Sequence, residues 1–298
     1  MSDNKKISVI IALGYFDSVH IGHRAVISLC VAKSRELGVT PAVFSFDGNL
    51  RKVIGGADGK FVYTASERKG YISALGVKEV LFAPVTEEFL GLTRKEFLDY
   101  LNSVYDIKGY VTGEDYRFGH KGLGDLEYLK EYSAIRGQSV YTVPAVICDG
   151  ERVSTTGIKK LLLSGELKKA NALLGRPFSA TGKVVCGRKV GRTMDFPTAN
   201  MQIPFERAPL KNGVYIGYTL IDGKRYTALV NYGARPTFGL SEVGVEAHII
   251  DFNGDLYGRE LTLYFTQFLR DVIKFQDVEG LKTQLEKDLS RAKEVTYD

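Results

Sequence analysis

Cysteine is scarce in this chain of 298 residues, with only Cys30, Cys148 and Cys186. Their odd number and lack of metal-ligand spacing exclude a disulfide framework and a cysteine-built metal centre, and predict a reducing, cytoplasmic setting. Long apolar runs are missing too. The polar start Met1–Lys6 is followed by the seven-residue run Ile7–Leu13, too short for a signal-peptide core with its flanks and far too short to span a bilayer. A soluble protein with no membrane partner is expected. Neither charge sign dominates: 40 Lys and Arg face 35 Asp and Glu, a formal net charge of +5, and the basic residues are spread along the chain. That balance suits anionic small molecules and gives only weak support for nucleic acid, so no nucleic-acid partner is expected. The pairs Lys159-Lys160 and Lys168-Lys169 read as solvated helix faces. Repeats, low-complexity tracts and long flexible linkers are absent, and the length accommodates two ordinary domains with a core each.

Histidine is also rare, yet two of the four histidines fall in Gly14–His23, which reads Gly-Tyr-Phe-Asp-Ser-Val-His-Ile-Gly-His. The preceding Ile7–Leu13 suits a buried parallel strand, and Arg24–Gly38 has helical composition with a glycine stop. The segment is therefore a strand-to-helix turn. A spacing of three puts His20 and His23 on one face of the opening helical turn, where free backbone N–H groups and the positive end of the dipole also point. That is a place for phosphate. Directed imidazole donors stabilise charge growing at a phosphorus centre, and no covalent intermediate is required. Gly14 and Gly22 would let a nucleotide approach the backbone. The segment resembles the H-x-G-H signature of the nucleotidyltransferase superfamily, whose members attack the α-phosphate of a nucleoside triphosphate and release pyrophosphate. Short adenylyl- and cytidylyltransferases, class I aminoacyl-tRNA synthetases and bifunctional riboflavin kinase/FAD synthetases share it.

The remainder of the chain has two grammars. From Ile7 to about Gly150, candidate strands Ile7–Leu13, Val39–Phe46, Val77–Phe82, Gly109–Thr112 and Val140–Ile147 alternate with helices near Arg24–Leu37, Ser66–Leu75, Thr93–Val104 and Leu126–Arg136. This alternation predicts a doubly wound parallel sheet with ligands at the carboxyl ends of its strands. Thr93-Arg-Lys-Glu96 is a capping-box pattern. Two short helices over Thr156–Leu174 join the halves. Beyond Pro177 strands and turns take over, with hairpin signals at Asp222-Gly223 and Asn253-Gly254, predicting a compact antiparallel barrel or sandwich closed by a helix over Val278–Lys293. The expected domains are residues 1–177 and 178–298.

Three further segments carry chemistry. Val111–Gly119 runs into the glycine-containing loop Gly119–Gly124, which permits packing against a planar ligand and places Asp115 at the same sheet end as the histidines. Arg152-Val-Ser-Thr-Thr-Gly-Ile-Lys159 combines Ser154, Thr155 and Thr156 with the cations Arg152 and Lys159 at the mouth of a helix, a set that can hold phosphate oxygens and neutralise a leaving pyrophosphate. An ordinary helix cap accounts for one hydroxyl, not for all three. In the second half, Gly182, Gly187, Gly191 and Arg192 space glycines along a strand and loop where backbone amides can wrap a phosphate chain. Thr198 and Asn200 point the same way if extended, and their oxygens suit Mg²⁺. Glu246 is an acid within an apolar strand, a placement that often marks a base.

Together these segments resemble the bacterial bifunctional riboflavin kinase/FMN adenylyltransferase family, also called FAD synthetase, over essentially the whole chain. The motif G-x-F-D-x-x-H-x-G-H is matched by Gly14–His23, V-x-G-x-[DN]-[FY]-x-F-G by Val111–Gly119, and R-x-S-S-T-x-I-R by Arg152–Lys159. The junction L-L-G-R-P-[FY] is matched by Leu173–Phe178, G-[FY]-P-T-A-N by Asp195–Asn200, N-x-G-x-x-P-T-F by Asn231–Phe238, and V-E-x-H-x-x-D-F by Val245–Phe252. The resemblance implies an α/β plus all-β protein: a Rossmann-like adenylyltransferase followed by a six-stranded flavokinase barrel and terminal helix. It also implies riboflavin, FMN, FAD and ATP as substrates and products, ATP as co-substrate, and Mg²⁺. His20, His23 and Glu246 would be catalytic, Thr198 and Asn200 would hold the metal, and Gly14, Phe16, Asp17, Gly22, Asp115, Gly119 and Asn231 would bind nucleotide or flavin.

Four positions depart from the family pattern. Phe44-Ser-Phe-Asp47-Gly48-Asn49 stands where F-x-P-H-P is usual, removing a phosphate-side histidine. Lys159 replaces an Arg and loses its two-pronged donor. Asp195 replaces Gly, and Tyr232 replaces a common Ile. The alternatives are a riboflavin kinase whose adenylyltransferase half has drifted and a non-catalytic flavin-binding regulator. A tRNA synthetase is disfavoured by the absence of a Lys-Met-Ser-Lys-Ser segment.

Overall fold

The computed structural model describes residues 6–50, 60–186, 196–204, 207–234 and 243–296. The chain divides into two compact units, Met1–Thr155 and Thr156–Asp298. In the first, strands β1 (Ser8–Leu13), β2 (Thr40–Phe46), β3 (Glu79–Ala83), β4 (Asp106–Gly113) and β5 (Ser139–Val143) form one sheet in the order β3-β2-β1-β4-β5. Every neighbouring pair is parallel. The connecting helices are α1 (Ile21–Glu36), α2 (Ala65–Ala74), α3 (Glu87–Leu90), α4 (Arg94–Val104) and α5 (Leu126–Ala134). Alternation along β1 shows why the sheet forms. Val9, Ile11 and Leu13 pack with Phe97, Leu98 and Leu101 of α4, while Ile10 and Ala12 pack with Val26, Ile27 and Cys30 of α1. A strand buried on both faces needs an apolar run and a helical layer on each side.

Thr93 opens α4 with the expected capping box: its hydroxyl accepts the Glu96 N–H at 3.2 Å, and the Glu96 carboxylate accepts the Thr93 N–H at 2.8 Å. β1 is central, with β2 on one side and β4 on the other. The loops after β1 and β4 thus flank the crevice where the strand order reverses, the usual ligand position in such sheets. The expected strand Val140–Ile147 is shorter. It ends at Val143, and β6 (Ile147–Cys148) instead pairs with β7 (Glu151–Arg152) around Asp149-Gly150, whose φ angles of 51° and 78° suit a two-residue hairpin loop.

The second unit begins with the two expected short helices, α6 (Thr155–Ser164) and α7 (Leu167–Leu174). Asn171 of α7 donates to the Phe265 carbonyl at 2.9 Å and accepts the Phe178 N–H at 2.7 Å. These bonds attach α7 to the barrel that follows, and the division lies at Thr155/Thr156, ahead of the expected 177/178. Strands β8 (Phe178–Val185), β9 (Ala199–Gln202), β10 (Gly213–Ile221), β11 (Lys224–Ala234), β12 (Val243–Ile249) and β13 (Glu260–Arg270) close into an antiparallel barrel ordered β10-β11-β12-β9-β8-β13. Asp222-Gly223 forms the expected hairpin turn between β10 and β11, with φ angles of 50° and 80°. Asn253-Gly254 does not: both edges of β12 are taken, by β11 and β9, so the chain returns as β13 beside β10 and β8. Phe178, Tyr215, Tyr232 and Phe265 meet inside the barrel. On its outer wall Val214, Ile216 and Leu229 pack against Leu289 and Ala292 of α8 (Val278–Lys293).

Candidate active sites

In the first unit the turn after β1 brings the two imidazoles into direct contact. His20 caps α1: its Nδ1 accepts the backbone N–H of His23 at 3.1 Å. Because Nδ1 is an acceptor, the neutral ring carries its proton on Nε2, leaving a fixed N–H donor. The rings stack with centroids 3.6 Å apart and an interplanar angle of 16°, and the edge of Phe16 meets His23 at 5.3 Å. The first turn of α1 has no acidic residue, whereas those of α2, α4 and α5 each hold a glutamate. The positive end of the α1 dipole is therefore left for an anion.

Other residues of this motif act from beneath. Phe16 and Asp17 are 3% and 2% exposed; Phe16 belongs to the core under the sheet, and Asp17 accepts the Val62 N–H at 2.8 Å. A Cβ on Gly14 would lie 2.7 Å from the Phe16 ring, so the space read from sequence as open to a nucleotide is occupied by that ring. Gly22 has a different neighbour: a Cβ there would lie 3.1 Å from Cε1 and 3.2 Å from Nδ1 of His20. Gly22→Ala is expected to displace the His20 ring, seen as a shift of its imidazole resonances by NMR.

The loop after β4 contributes Asp115, which forms a close ion pair with Arg152. Both side chains are more than half exposed, and such a pair contributes only about 0–1 kcal/mol, so Arg152 can exchange its partner for a phosphate. The hydroxyls of Ser18 and Thr155, both in the first unit, lie 3.0 Å apart and are buried, which fastens the imidazole turn to the last residue of that unit. Ser154 lies between these two anchors, while Thr156 and Lys159 are on α6 within the second unit. Gly119, with φ +70°, lets the loop pass over the start of α4: a Cβ there would sit 2.7 Å from the Arg94 backbone. Asp47-Gly48-Asn49, the departure after β2, is anchored by Asp47 N–H donating to Ala83 and by Tyr15 donating to the Gly48 carbonyl at 3.2 Å.

The second unit aligns its candidates by strand register. Asn200 pairs with Glu246, and Glu246 with Asn231, making one row across β9, β12 and β11. Val245 and Ala247 are fully buried on the opposite face. Period-two alternation therefore puts Glu246 on the outer wall. There it lines a hollow of about 310 Å³ with Thr198, Asn231, His248, Phe275 and Leu285. Thr198 also lines a second hollow of about 280 Å³ with Val184, Ala247, Ile249, Leu256 and Tyr257. Gly182 serves β-strand packing, since a side chain there would run into the Gln202 carbonyl. Gly187, Gly191 and Arg192, with Asp195, fall outside the described residues. Tyr232, the other departure, is buried and its hydroxyl accepts the Leu210 N–H at 3.2 Å.

Sequence reasoning missed two groups here. His248 Nδ1 lies 2.9 Å from the Pro197 carbonyl, and its ring meets Phe196 at 4.9 Å. The β9–β12 ladder ends at Ala199–Ala247, so this side chain holds the segment bearing Thr198 where backbone pairing stops. Arg270 of β13 grips Asp288 of α8 through Nε at 2.9 Å and Nη2 at 2.6 Å, and Gln284 donates to the same carboxylate at 2.8 Å. Asp288 is 1% exposed. Its pairing fixes α8 over the outer wall and forms one end of the larger hollow. Asp288→Ala removes the buried carboxylate and leaves the partly exposed Arg270 guanidinium without this partner, and is expected to lower stability by roughly 1–3 kcal/mol, read as a lower urea midpoint.

One unit thus gathers two stacked imidazoles at a helix N-terminus, and the other sets an acid in a row with two amides and beside a hydroxyl, arrangements whose chemistry suits phosphate groups. Residues 2–157 match the FAD synthetase family, and residues 174–296 match the riboflavin kinase family. A bifunctional riboflavin kinase/FMN adenylyltransferase from Pseudomonas fluorescens is 34% identical over 94% of this chain and 91% of the relative. One from Listeria monocytogenes is 33% identical over 95% and 90%. The crystal structure of a macrolide-efflux protein from Streptococcus pneumoniae superposes with a TM-score of 0.86 at 29% identity, covering 97% of this chain and 95% of that one. Among the described residues of this chain no helix is long and apolar enough to cross a membrane. The chain belongs to the bifunctional riboflavin kinase/FMN adenylyltransferase family. It phosphorylates riboflavin to FMN with ATP, then adenylylates FMN to FAD with release of pyrophosphate.

Proposed function

We propose that the two steps use separate sites, the kinase on the outer wall of the barrel and the adenylyltransferase at the turn after β1. The observation supporting the kinase assignment is the lateral row Asn200–Glu246–Asn231, of which Glu246 and Asn231 line a hollow together with Thr198. The apolar part of that hollow, with Phe275, Leu281 and Leu285, receives the isoalloxazine of riboflavin. Glu246 accepts the proton of its 5′-hydroxyl as that oxygen attacks the γ-phosphate of ATP, the bond to the β-phosphate oxygen breaks and ADP leaves. The hollow across Thr198 takes the nucleotide. Thr198, Asn200 and Glu246 offer only oxygen donors, and no group of three or more His, Cys, Asp or Glu gathers among the described residues. So sparse and hard a set fits Mg²⁺, which keeps several waters and takes substrate phosphates as ligands. Thr198 and Asn200 would hold the ion, which when bound neutralises charge on the ATP phosphates.

In the first unit FMN attacks the α-phosphate in line. Its phosphate is already anionic, so alignment rather than deprotonation is required. His20 and His23 stabilise the charge at phosphorus, and Arg152, Ser154 and Thr155 hold the leaving pyrophosphate. The reaction is placed in the cytoplasm, where ATP is abundant. Chelation tests the metal assignment: EDTA should stop FMN formation from riboflavin and ATP, and Mg²⁺ in excess should restore it. Turnover undiminished in EDTA would remove the metal role of Thr198 and Asn200.

A further inference from the structure

Arg68 of α2 is a buried cation, 1% exposed, that neither chemical step uses. Nη1 donates to the Tyr15 carbonyl and to Ser45 Oγ, both at 2.8 Å, and Nη2 donates to the Phe46 carbonyl at 2.5 Å. Ser45 Oγ in turn donates to the same Tyr15 carbonyl at 2.7 Å. The rings of Tyr15 and Phe82 flank the guanidinium at 4.8 and 5.4 Å. Each of these acceptors lies either on the turn leading to His20 or on the last two residues of β2.

That turn is strained. Phe16 and Val19 hold φ angles of 51° and 43°, and a β-branched residue is rarely found there. Such conformations persist only where the surroundings over-determine them. Arg68 holds the turn at Tyr15, the Val62 N–H holds Asp17 at 2.8 Å, and the Thr155 hydroxyl meets Ser18 at 3.0 Å. A guanidinium is a costly way to fill this space, because burying charge is unfavourable. Burial lowers its pKa from the ordinary value, while Tyr15, Asp17 and Asp47 favour the charged form. An apolar side chain would pack there at lower cost but would hold no carbonyl in place.

We propose that Arg68 is a positioning residue for adenylyl transfer: its planar fork locks the Tyr15–Val19 turn to the end of β2, so that His20 and His23 meet the α-phosphate in register. The inference rests on the assignment of the two imidazoles to that step. A lysine cannot replace the fork, since a single ammonium cannot reproduce its fixed, planar set of donors.

The test uses the full chain, with Arg68→Lys, Arg68→Met and the His20→Ala, His23→Ala double variant assayed on FMN and ATP. In both Arg68 variants kcat for FAD formation should fall about 10²-fold, as for a misplaced catalytic group. The KM values for ATP and FMN should stay close to those of the parent, and riboflavin phosphorylation by the same preparations should be unchanged. An Arg68→Ala variant should recover FAD formation on addition of methylguanidinium and not of ammonium, a selectivity that loss of packing alone does not produce. Should Arg68→Met fail to fold, the Lys variant decides. Parent-like kcat in the Lys variant, or a raised KM at unchanged kcat, overturns the proposal while leaving the imidazoles in place. Parent-like FAD formation by the double histidine variant instead overturns the underlying site and this inference with it.

Discussion

The His20→Ala, His23→Ala double variant, supplied with FMN and ATP, should form FAD about a thousandfold more slowly than the parent chain. Removing one preorganised donor from a developing charge typically costs 10²- to 10³-fold, on the order of 3–4 kcal/mol. Here two donors are lost, and they are stacked at 3.6 Å, so their effects overlap and the double loss stays near the top of that range rather than squaring it. Nε2 of His20 is the better oriented donor, because its other nitrogen is fixed by the His23 N–H. His20→Ala alone should therefore cost more than His23→Ala alone. His20→Gln should recover part of the rate, since an amide retains an N–H donor. Riboflavin phosphorylation reads the other unit, and FMN should appear at the parent rate in every case. A parallel fall in both activities would instead indicate damage to the whole molecule.

Glu246→Gln should have the converse effect, lowering riboflavin phosphorylation by about 10²- to 10⁴-fold, the range for loss of a general base. The substitution keeps the size and planarity of the side chain and removes its charge and its capacity to take a proton. Apparent affinity for riboflavin should change little, because the apolar wall formed by Phe275, Leu281 and Leu285 is untouched. FAD formation from added FMN should continue undiminished. Unaltered phosphorylation by this variant would show that the 5′-hydroxyl gives its proton to another acceptor and would withdraw the role from Glu246.

Much of this architecture was legible in the residues. The run Ile7–Leu13 announced a strand buried on both faces, and the single-residue alternation of its partners bears that out. The capping residues Thr93 and Glu96, the Asp222-Gly223 turn and the terminal helix Val278–Lys293 appear where local chemistry put them. Non-local pairing was not readable. Asn253-Gly254 has the composition of a hairpin turn, but barrel closure assigns both edges of β12 to other strands, and a dipeptide carries no information about that. Glu246 was identified from its polarity among apolar neighbours, but which face it takes was not readable, because a strand of a small barrel covered by a helix is partly buried on both sides. Gly14, Gly182 and Gly119 were legible as residues that must be small, but not what requires it: the Phe16 ring, the Gln202 carbonyl and the Arg94 backbone. Arg68 gave no signal at all. In sequence it is one more cation on an amphipathic helix, and only the fold shows its donors reaching the turn that carries the histidines.

The central claim is that one chain holds two independent phosphate-handling sites acting in series on a flavin. A single time course with riboflavin, ATP and Mg²⁺, its flavins separated by chromatography, tests it most directly. The parent chain should show FMN rising first and then FAD, with pyrophosphate matching FAD; the double histidine variant should stop at FMN; and Glu246→Gln should leave riboflavin unconverted yet make FAD from added FMN. Failure of the folded double histidine variant to form FMN, or of folded Glu246→Gln to form FAD from added FMN, would contradict separate sites.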